Sequence, residues 1–404
     1  MRFRRGRILF VAMANSIHTA RWVGQLDGEG WDVHIFNVYD TSPHPSLRNV
    51  TVYGSTSMRG ANLDKSVRLF GFYPFVRGRH PVAQAIGQVV PSLIDRSVWL
   101  AWLIRWLKPD LIQSLEMQHA GYITLGAKER ISGEFPKWIV TNWGNDIYLF
   151  GRLAEHASKV KKVLASCNYY SCECERDVDL AKEMGLTAEI LPVFPNTGGF
   201  SLEKIAQFRS PGLTSSRRLI VLKGYQHWAG RALVGLRALE LCANELAGYR
   251  VAIHSASPEV RISAELVSRS VGIPIDLISG VSHDEMLRLH GQARISIGLS
   301  ISDAISISLL EAMVMGSFPI QSCTACAAEW ITDGRSGFIV PPEDSYPIAS
   351  AIRQAIWDDS LVDTAAELNA EVARTRLDRE VIRQQVVEMY KRVLGQASSG
   401  SRGG

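Results

Sequence analysis

The chain has 404 residues, of which 46% are hydrophobic and 21% are charged, and its formal net charge is +4. This length exceeds what one hydrophobic core usually supports, so it predicts two domains of roughly 200 residues each. The composition excludes a largely disordered protein, and no nucleic-acid recognition motif accompanies the mild positive charge.

The first predicted element is the apolar run 8–14, which follows a basic N-terminus and superficially resembles a secretion signal. A helical pattern (18–26) and a second apolar strand (32–38) come next, so the run is better explained as the first strand of a β-α-β unit. We therefore expect a cytoplasmic protein, and no apolar stretch reaches the ~20 residues that span a bilayer. Two interpretations of the basic terminus stay open, contact with an anionic membrane face or no partner at all. Its arginines are Arg2, Arg4, Arg5 and Arg7.

An aromatic block lies between residues 62 and 108. At helical spacing, Trp99, Trp102, Leu103 and Trp106 fall near one face. Such a stripe is most often part of a core, and the alternatives are an interfacial helix on a membrane or an acceptor-binding surface.

Short apolar runs alternate with amphipathic stretches along the whole chain, which predicts parallel sheets covered by helices. The predicted domains are residues 1–205, residues 206–375 and a helix at 376–395 that packs back on the first domain. A flexible tail would follow at 396–404. The predicted strands of the first domain are 8–13, 32–38, 111–114, 138–142, 168–171 and 188–191, and those of the second are 218–222, 250–254, 275–278, 295–299, 318–321 and 338–340.

The segment 302–320 carries two carboxylates, Asp303 and Glu311, on either side of a predicted loop-to-helix junction. A helix starting near Ser308 would offer backbone N–H groups and its positive dipole end to a diphosphate, while the carboxylates take ribose and sugar hydroxyls. A structural alternative stays open, because Ser308-Leu-Leu-Glu311 also matches a capping box.

Three further patterns follow predicted strands. Lys223 to Arg231 brings two cations to the end of the first strand of the second domain, the edge at which doubly wound sheets bind ligands. In the first domain, Asn142-Trp-Gly-Asn-Asp146 ends a strand with a loop and a carboxylate. Asp177-Val-Asp179 matches a metal-binding D-x-D, but acidic residues at the start of a predicted helix are explained by the helix dipole.

Taken together, these features resemble a family 4 retaining glycosyltransferase of the GT-B fold. Asp303 to Glu311 resembles the E-x7-E segment, Glu311 to Pro319 the Glu-Ala-Met-x-x-Gly-x-x-Pro pattern, and Glu329 to Pro342 the block after it. Val11 to Gln25 resembles the first loop of the family. The resemblance implies an α/β fold in which two doubly wound Rossmann-like domains face a central cleft.

The resemblance also implies roles for individual residues. Glu311 would hold the ribose, Asp303 would bind donor sugar hydroxyls, and His119 or Asp146 would lie near the sugar and the acceptor. Lys223 and Arg231, with the backbone at Ser306, Ile307 and Ser308, would face the diphosphate. The acceptor side would include Asn15, Ser16 and His18.

The implied activity is metal-independent transfer of a sugar from a nucleoside diphosphate sugar, with no cofactor, in glycan biosynthesis. The acceptor would be a glycan, a lipid-linked compound or a small molecule, and the protein would act in the cytoplasm or peripherally at the inner membrane face. Two departures bear on the donor: Asp303 replaces the usual Glu, and the Gly-Arg-x4-Lys spacing is not reproduced. A sugar-nucleotide epimerase or hydrolase and an inactive sugar-nucleotide-binding subunit stay open. A Rossmann dehydrogenase is disfavoured because no G-x-G-x-x-G follows the first strand.

Overall fold

The computed structural model describes residues 5–56, 62–73 and 95–395. The chain divides into two compact units, unit 1 with residues 1–198 and 383–404 and unit 2 with residues 199–382. Each unit contains one sheet, and the strands of each sheet pair in parallel wherever their register is defined. Both units are therefore doubly wound α/β structures. The predicted tail at 396–404 and the arginines Arg2 and Arg4 lie outside the described residues.

The sheet of unit 1 has its most apolar strands at the centre. Strand order is β4-β3-β2-β1-β5-β6-β7-β8, and the apolar residues of β1 from Ile8 to Ala12 are fully buried. Burial on both faces explains this continuous apolar run, since helices cover both sides of a parallel sheet. The strands are Arg5–Ala12 (β1), Trp31–Asn37 (β2), Thr51–Thr56 (β3), Arg68–Tyr73 (β4), Leu111–Leu115 (β5), Lys137–Thr141 (β6), Tyr169–Ser171 (β7) and Glu189–Ile190 (β8).

The helices of unit 1 follow its strands in the order that a doubly wound fold requires. A five-residue π-helix, Met117–Gly121, comes directly after β5. The α-helices are Ile17–Gly24 (α1), Arg96–Leu107 (α2), Tyr122–Glu129 (α3), Ala154–Ser166 (α4) and Glu175–Glu183 (α5).

The sheet of unit 2 has the order β11-β10-β9-β12-β13-β14. Its strands are Leu219–Lys223 (β9), Arg250–His254 (β10), Ile275–Ile278 (β11), Ala293–Gly298 (β12), Phe318–Ser322 (β13) and Phe338–Val340 (β14). Its helices are Leu202–Ile205 (α6), Ala232–Leu241 (α7), Pro258–Val271 (α8), His283–Gln292 (α9), Ile307–Met315 (α10), Ser345–Trp357 (α11) and Asp359–Arg376 (α12).

The last helix, Arg379–Leu394 (α13), begins in unit 2 and passes into unit 1 at Arg383. Tyr390 on this helix is fully buried in unit 1, where its hydroxyl accepts a hydrogen bond from Trp22 Nε1 at 2.9 Å and donates one to Gln113 Oε1. The units divide at 198/199, whereas the sequence places the first boundary at 205/206.

Two strands of unit 1, β3 and β4, were not predicted from the sequence. Both lie on one side of the sheet, with β4 at its edge, and Thr51, Arg68 and Gly71 interrupt their apolar residues. These two strands therefore lack the continuous apolar run by which the central strands were recognised, and of the two only β4 is an edge strand.

The aromatic stripe of α2 is not the buried face of that helix. Leu100, Leu103 and Ile104 are buried, whereas the side chains of Trp102 and Trp106 are 47% and 56% exposed. The interpretation of the stripe as part of the core is therefore wrong for Trp102 and Trp106, since the core selects the aliphatic side of the helix. Among the described residues, no helix is both long enough and apolar enough to cross a bilayer.

We expect Tyr390→Phe to destabilise unit 1 by about 1–3 kcal/mol, because it leaves Gln113 Oε1 buried without its donor and Trp22 Nε1 without its acceptor. Denaturant unfolding followed by tryptophan fluorescence measures the change. The control is Tyr346→Phe, at a side chain that is 71% exposed, which should change stability by less than about 0.5 kcal/mol. Equal effects of the two variants would contradict the assignment.

Candidate functional site

The carboxyl ends of three neighbouring strands of unit 2 bring polar side chains together. Strand β9 ends at Lys223 and β10 ends at His254, and these two residues are register partners. Strand β12, on the other side of β9, continues into the loop that leads to α10. Sequence reasoning placed Lys223 at this edge, and the structure adds His254.

Lys223 lies beside the start of helix α10. Its Nζ is 3.5 Å from Ser306 Oγ and 3.8 Å from Asp303 Oδ2. Ser306 is the N-cap residue, yet its side chain accepts no capping hydrogen bond from the helix. The first backbone N–H groups of α10 and the ammonium of Lys223 therefore create positive potential at one place, which suits an anionic ligand.

The capping-box interpretation of Ser308 and Glu311 is wrong. Helix α10 starts at Ile307 with Ser306 as its N-cap, so Ser308 already lies within the first turn. Glu311 is buried and its carboxylate contacts two imidazoles: Oε1 lies 3.2 Å from His283 Nε2, and Oε2 lies 3.5 Å from His290 Nε2.

Glu311 is a buried carboxylate that remains ionised. Burial alone would raise its pKa, but hydrogen bonds from His283 and His290 and the charges of these imidazoles outweigh that effect and lower the pKa to about 2. An ionised carboxylate accepts hydrogen bonds and donates none, which suits recognition of hydroxyl groups.

His254 is a neutral imidazole beside this carboxylate. Its pKa falls to about 3, mainly because it is buried and also because the charge of His290 opposes its protonation. The His254 and His290 rings pack edge to face with their centroids 6.0 Å apart.

Arg231 follows a tight loop and forms an ion pair with Glu343. The guanidinium Nε of Arg231 donates to Glu343 Oε1 at 3.0 Å, so in this structure its partner is Glu343. Gly230 permits the tight loop, because a Cβ there would lie 2.1 Å from the carbonyl oxygen of Tyr225. The Tyr225 ring lies 4.8 Å from Lys223 Nζ, a cation–π contact that sequence reasoning missed.

In unit 1, the predicted acceptor-side residues lie directly after β1. Ser16 is the N-cap of α1, and its Oγ accepts a hydrogen bond from the His18 backbone N–H at 3.2 Å. Asn15 is exposed in the preceding turn. The ring of His18 packs edge to face against Trp143, which follows β6, with centroids 5.8 Å apart. Segments after two different strands therefore meet at this edge of the sheet.

His119 lies on the π-helix after β5, at a position fixed by two carboxylates. Glu116 Oε1 accepts hydrogen bonds from the backbone N–H groups of His119 and Ala120 at 2.6 and 2.8 Å. Asp146 Oδ2 accepts from Met117 N at 2.9 Å and from Trp143 N at 2.8 Å. Asp146 therefore binds two loops together through their backbones.

Glu116 is a residue that sequence reasoning missed. It adopts φ +78°, which is uncommon for a residue with a side chain, and its Oε2 lies 3.3 Å from His119 Nδ1. This hydrogen bond raises the pKa of His119. Burial and the charge of Glu116 raise the pKa of Asp146 well above its usual range. The Tyr39 ring completes the group, 5.2 Å from the ring of His119.

The two carboxylates of the D-x-D sequence have different environments and different partners. Asp177 is fully buried, and it accepts hydrogen bonds from Asn142 Nδ2 at 2.7 Å and Arg176 Nε at 2.9 Å. Asp179 is exposed beside Lys182.

Comparisons with known families agree with this two-unit architecture. Residues 248–372 match the family model described as glycosyl transferases group 1, and residues 7–62 match the one described as glycosyl transferase 4-like. No curated protein matches the chain.

Solved structures with the same fold cover nearly the whole chain. Sucrose-phosphate synthase from Thermosynechococcus elongatus is similar at a TM-score of 0.71 and 13% identity, with 97% of this chain and 100% of that chain covered. HepE from Anabaena, in complex with UDP and glucose, is similar at a TM-score of 0.67 and 16% identity, with 96% and 100% covered.

A third structure holds glycans as well as a nucleotide. TarM from S. aureus, in complex with fondaparinux, alpha-GlcNAc-glycerol and UDP, is similar at a TM-score of 0.59 and 11% identity. The similarity covers 73% of this chain and 58% of that one. These similarities establish the GT-B fold, which is built from two Rossmann-like domains.

The lowered pKa of Glu311 predicts a specific loss of stability in acid. Because the folded-state pKa, about 2, lies below the ordinary value of 4.5, the stabilisation is complete above that ordinary value and falls as pH decreases toward 2. The difference in unfolding free energy between wild type and Glu311→Gln should shrink by about 2 kcal/mol between about pH 6 and about pH 3. Urea unfolding at several pH values measures it, and a difference that does not change with pH would contradict the assignment.

Proposed function

Because the chain is a family 4 glycosyltransferase of the GT-B fold, we propose that it transfers a sugar from a nucleoside diphosphate sugar to an acceptor with retention of anomeric configuration. The observation that carries the proposal is the meeting of Lys223, Asp303 and the N-terminus of α10 at the carboxyl edge of the unit 2 sheet. This edge is where doubly wound sheets bind nucleotides.

The donor is proposed to bind unit 2. Lys223 and the backbone N–H groups near Ser306, Ile307 and Ser308 hold the diphosphate, because they provide positive charge and hydrogen-bond donors together. Glu311 accepts hydrogen bonds from the ribose hydroxyls, and Asp303 accepts them from the donor sugar. HepE, which shares the fold, holds UDP and glucose in its crystal structure.

Arg231 is proposed as a second diphosphate contact that changes partner when the donor binds. Glu343 is 67% exposed, so its ion pair with Arg231 contributes little and is easily exchanged for a stronger contact with a diphosphate.

Catalysis in this proposal depends on stabilising the leaving group. The bond between the anomeric carbon and the phosphate oxygen breaks, its electron pair leaves with the diphosphate, and the sugar passes through an oxocarbenium-like state. The acceptor oxygen then bonds to the same face, and the released diphosphate can take the acceptor proton. Lys223 and the helix N-terminus lower the barrier by neutralising the growing negative charge.

Unit 1 is proposed to bind the acceptor at the edge where Asn15, Ser16, His18 and His119 lie. His119 is the proposed catalytic residue of this unit, since its ring is half-exposed and hydrogen-bonded to Glu116. Asp146 is better assigned as a positioning residue, because its carboxylate is buried and bonded to backbone N–H groups.

The acceptor is proposed to be a glycan, a lipid-linked glycan precursor or a small molecule handled in the cytoplasm. TarM, which shares the fold, is bound to glycans in its crystal structure, and this favours a glycan. Attachment to the inner membrane face is a further proposal, for which exposed Trp102 and Trp106 provide apolar surface.

A donor screen followed by product analysis tests the proposed activity. Nucleoside diphosphate sugars that bind should raise the melting temperature of the protein by mass action. Proton NMR of the product then shows whether the anomeric configuration is retained. Free sugar or an epimerised donor, formed without acceptor, would instead indicate a hydrolase or epimerase. Donor binding with no turnover across a broad acceptor panel would indicate a binding subunit.

Lys223→Ala should lower kcat/KM for the donor about a hundredfold, because it removes positive charge from the leaving diphosphate. Asp303→Asn should lower kcat/KM for the donor by a similar factor, because an amide accepts hydrogen bonds from sugar hydroxyls less well than a carboxylate does. The matched control is Lys204→Ala, at an exposed lysine on α6 of the same unit. Unchanged kcat/KM in both site variants would overturn the donor-site assignment.

Chelation tests the proposal that transfer is metal-independent. Because Lys223 and the helix N-terminus provide positive charge without a metal ion, EDTA should leave kcat within about twofold of its untreated value. A loss of activity that Mg²⁺ or Mn²⁺ restores would contradict metal independence and leave the donor-site residues to be reassigned.

A further inference from the structure

Glu311 is held from inside unit 2 by a row of polar side chains that passes through the core. The Oγ atoms of Ser296 and Ser317 are 2.7 Å apart, and Ser296 Oγ is 2.8 Å from His290 Nδ1. His290 Nε2 then faces Glu311 Oε2 at 3.5 Å. All four of these residues are at least nine-tenths buried.

The order of these groups restricts which of them can donate a hydrogen bond to the next. As an imidazolium, His290 donates to Ser296 Oγ through Nδ1 and carries a second N–H on Nε2. As a neutral ring it keeps the Nε2 proton if the Ser317 hydroxyl donates to Ser296 and the Ser296 hydroxyl donates to His290 Nδ1. In both forms the protonated Nε2 lies 3.5 Å from Oε2 of the ionised carboxylate. The opposite tautomer would place the Nε2 lone pair against the negative charge of Glu311, which is repulsive. The hydroxyl pair thus favours the imidazole form that can donate to Glu311.

A second imidazole contacts the other carboxylate oxygen from the outer side. His283 is the first residue of α9, its side chain is 38% exposed, and its Nε2 is 3.2 Å from Glu311 Oε1. The ring lies nearly parallel to that of Phe200, at 17° and 6.2 Å between centroids, so its orientation is restrained by packing.

We propose that His290 and His283 are positioning residues that clamp Glu311, one on each oxygen, so that the ionised carboxylate presents its remaining lone pairs to the ribose of the donor. Each carboxylate oxygen has two lone-pair sites, so one imidazole on each leaves room for a ribose hydroxyl. This inference rests on the proposed function, because it assumes that a nucleoside diphosphate sugar binds at α10.

The other titratable groups near Glu311 do not take the place of the two imidazoles as its hydrogen-bond donors. His254, on β10, packs against the His290 ring and is neutral, so it adds no charge. Lys223, on β9, contacts Asp303 and Ser306, and Asp303 itself belongs to the loop before α10. The contacts with Glu311 therefore come from α9, and removing either imidazole should weaken the recognition of ribose more than the recognition of phosphate.

The clamp is tested with ligands that carry or lack ribose hydroxyls. Isothermal titration compares UDP, GDP and ADP with their 2′,3′-dideoxy counterparts on the whole chain, using the base that wild type binds best. Wild type should prefer the ribose form about tenfold or more, as expected for hydrogen bonds to a charged group. His290→Ala should bring this ratio close to unity while leaving the affinity for the dideoxy form within about threefold.

Further variants distinguish a loss of carboxylate positioning from a general effect on folding. His290→Gln places an amide N–H near the position of Nε2 and should restore most of the ribose preference, whereas His290→Ala should not. His283→Ala, at a half-exposed site where misfolding is not expected, should lower the preference partly. His156→Ala, in unit 1, is the control and should change neither affinity.

The outcomes distinguish the clamp from the function on which it rests. If wild type binds none of the nucleoside diphosphates, the proposed donor site fails and the clamp fails with it. If wild type binds the ribose form preferentially and the preference survives in folded His290→Ala and His283→Ala, the clamp alone is wrong. Should His290→Ala not fold, the comparison of His283→Ala with wild type decides the question.

Discussion

The need to keep one carboxylate ionised inside unit 2 constrains the residues around it. Burying an uncompensated charge costs several kcal/mol, so Glu311 at 4% exposure must have donors close to both of its oxygens. Helix α9 provides them at its first residue, His283, and two turns later at His290. Since His290 is itself buried, it in turn needs a partner on Nδ1, and the hydroxyl of Ser296 is that partner. The polar row through the core thus follows from the carboxylate at its end.

Unit 1 surrounds its buried carboxyl groups with a different kind of hydrogen-bond donor. Glu116 and Asp146 are also almost completely buried, but their hydrogen bonds come mainly from backbone N–H groups of the π-helix and of the loop after β6. Backbone donors are lost only on substitution by proline and do not change protonation state. Glu116 and Asp146 therefore fix the backbone of the loops that they contact. Glu311 depends instead on two histidine side chains, which substitution or protonation can change. The difference explains why Asp146 suits a positioning role and Glu311 suits contact with a ligand.

The sequence predicted the features that depend on apolar periodicity and on the order of elements. The central strands were placed to within one or two residues at most ends, because burial on both faces leaves an unbroken apolar run, and β10 and β11 match their predicted bounds. Strands β3 and β4, at one end of the sheet, were missed because polar residues and glycine interrupt their apolar residues. The spacing of Asp303 and Glu311 located the loop-to-helix junction at the start of α10, and Lys223 was placed at the correct strand end. His290 and Glu116 could not have been found in this way, because a histidine within an amphipathic helix and a glutamate after a strand carry no distinctive local pattern. Their roles come from contacts with residues such as Glu311 and Asp146, which the fold brings close.

The shortened carboxylate at position 303 has a physical consequence for the donor site. Asp303 Oδ2 is 3.8 Å from Lys223 Nζ, and the same ammonium is 3.5 Å from Ser306 Oγ at the helix N-terminus. In the proposed donor site, one lysine therefore contacts both the residue assigned to the sugar and the residue at the helix N-terminus assigned to the phosphate. A glutamate at 303 would extend one methylene further and could reach a sugar hydroxyl without remaining next to Lys223. With aspartate, the carboxylate and the ammonium stay coupled, so a donor sugar that draws Asp303 away would also release Lys223 toward the diphosphate. In the proposed mechanism, the binding of the sugar and the neutralisation of the leaving group would thus be linked through the ion pair of Asp303 and Lys223.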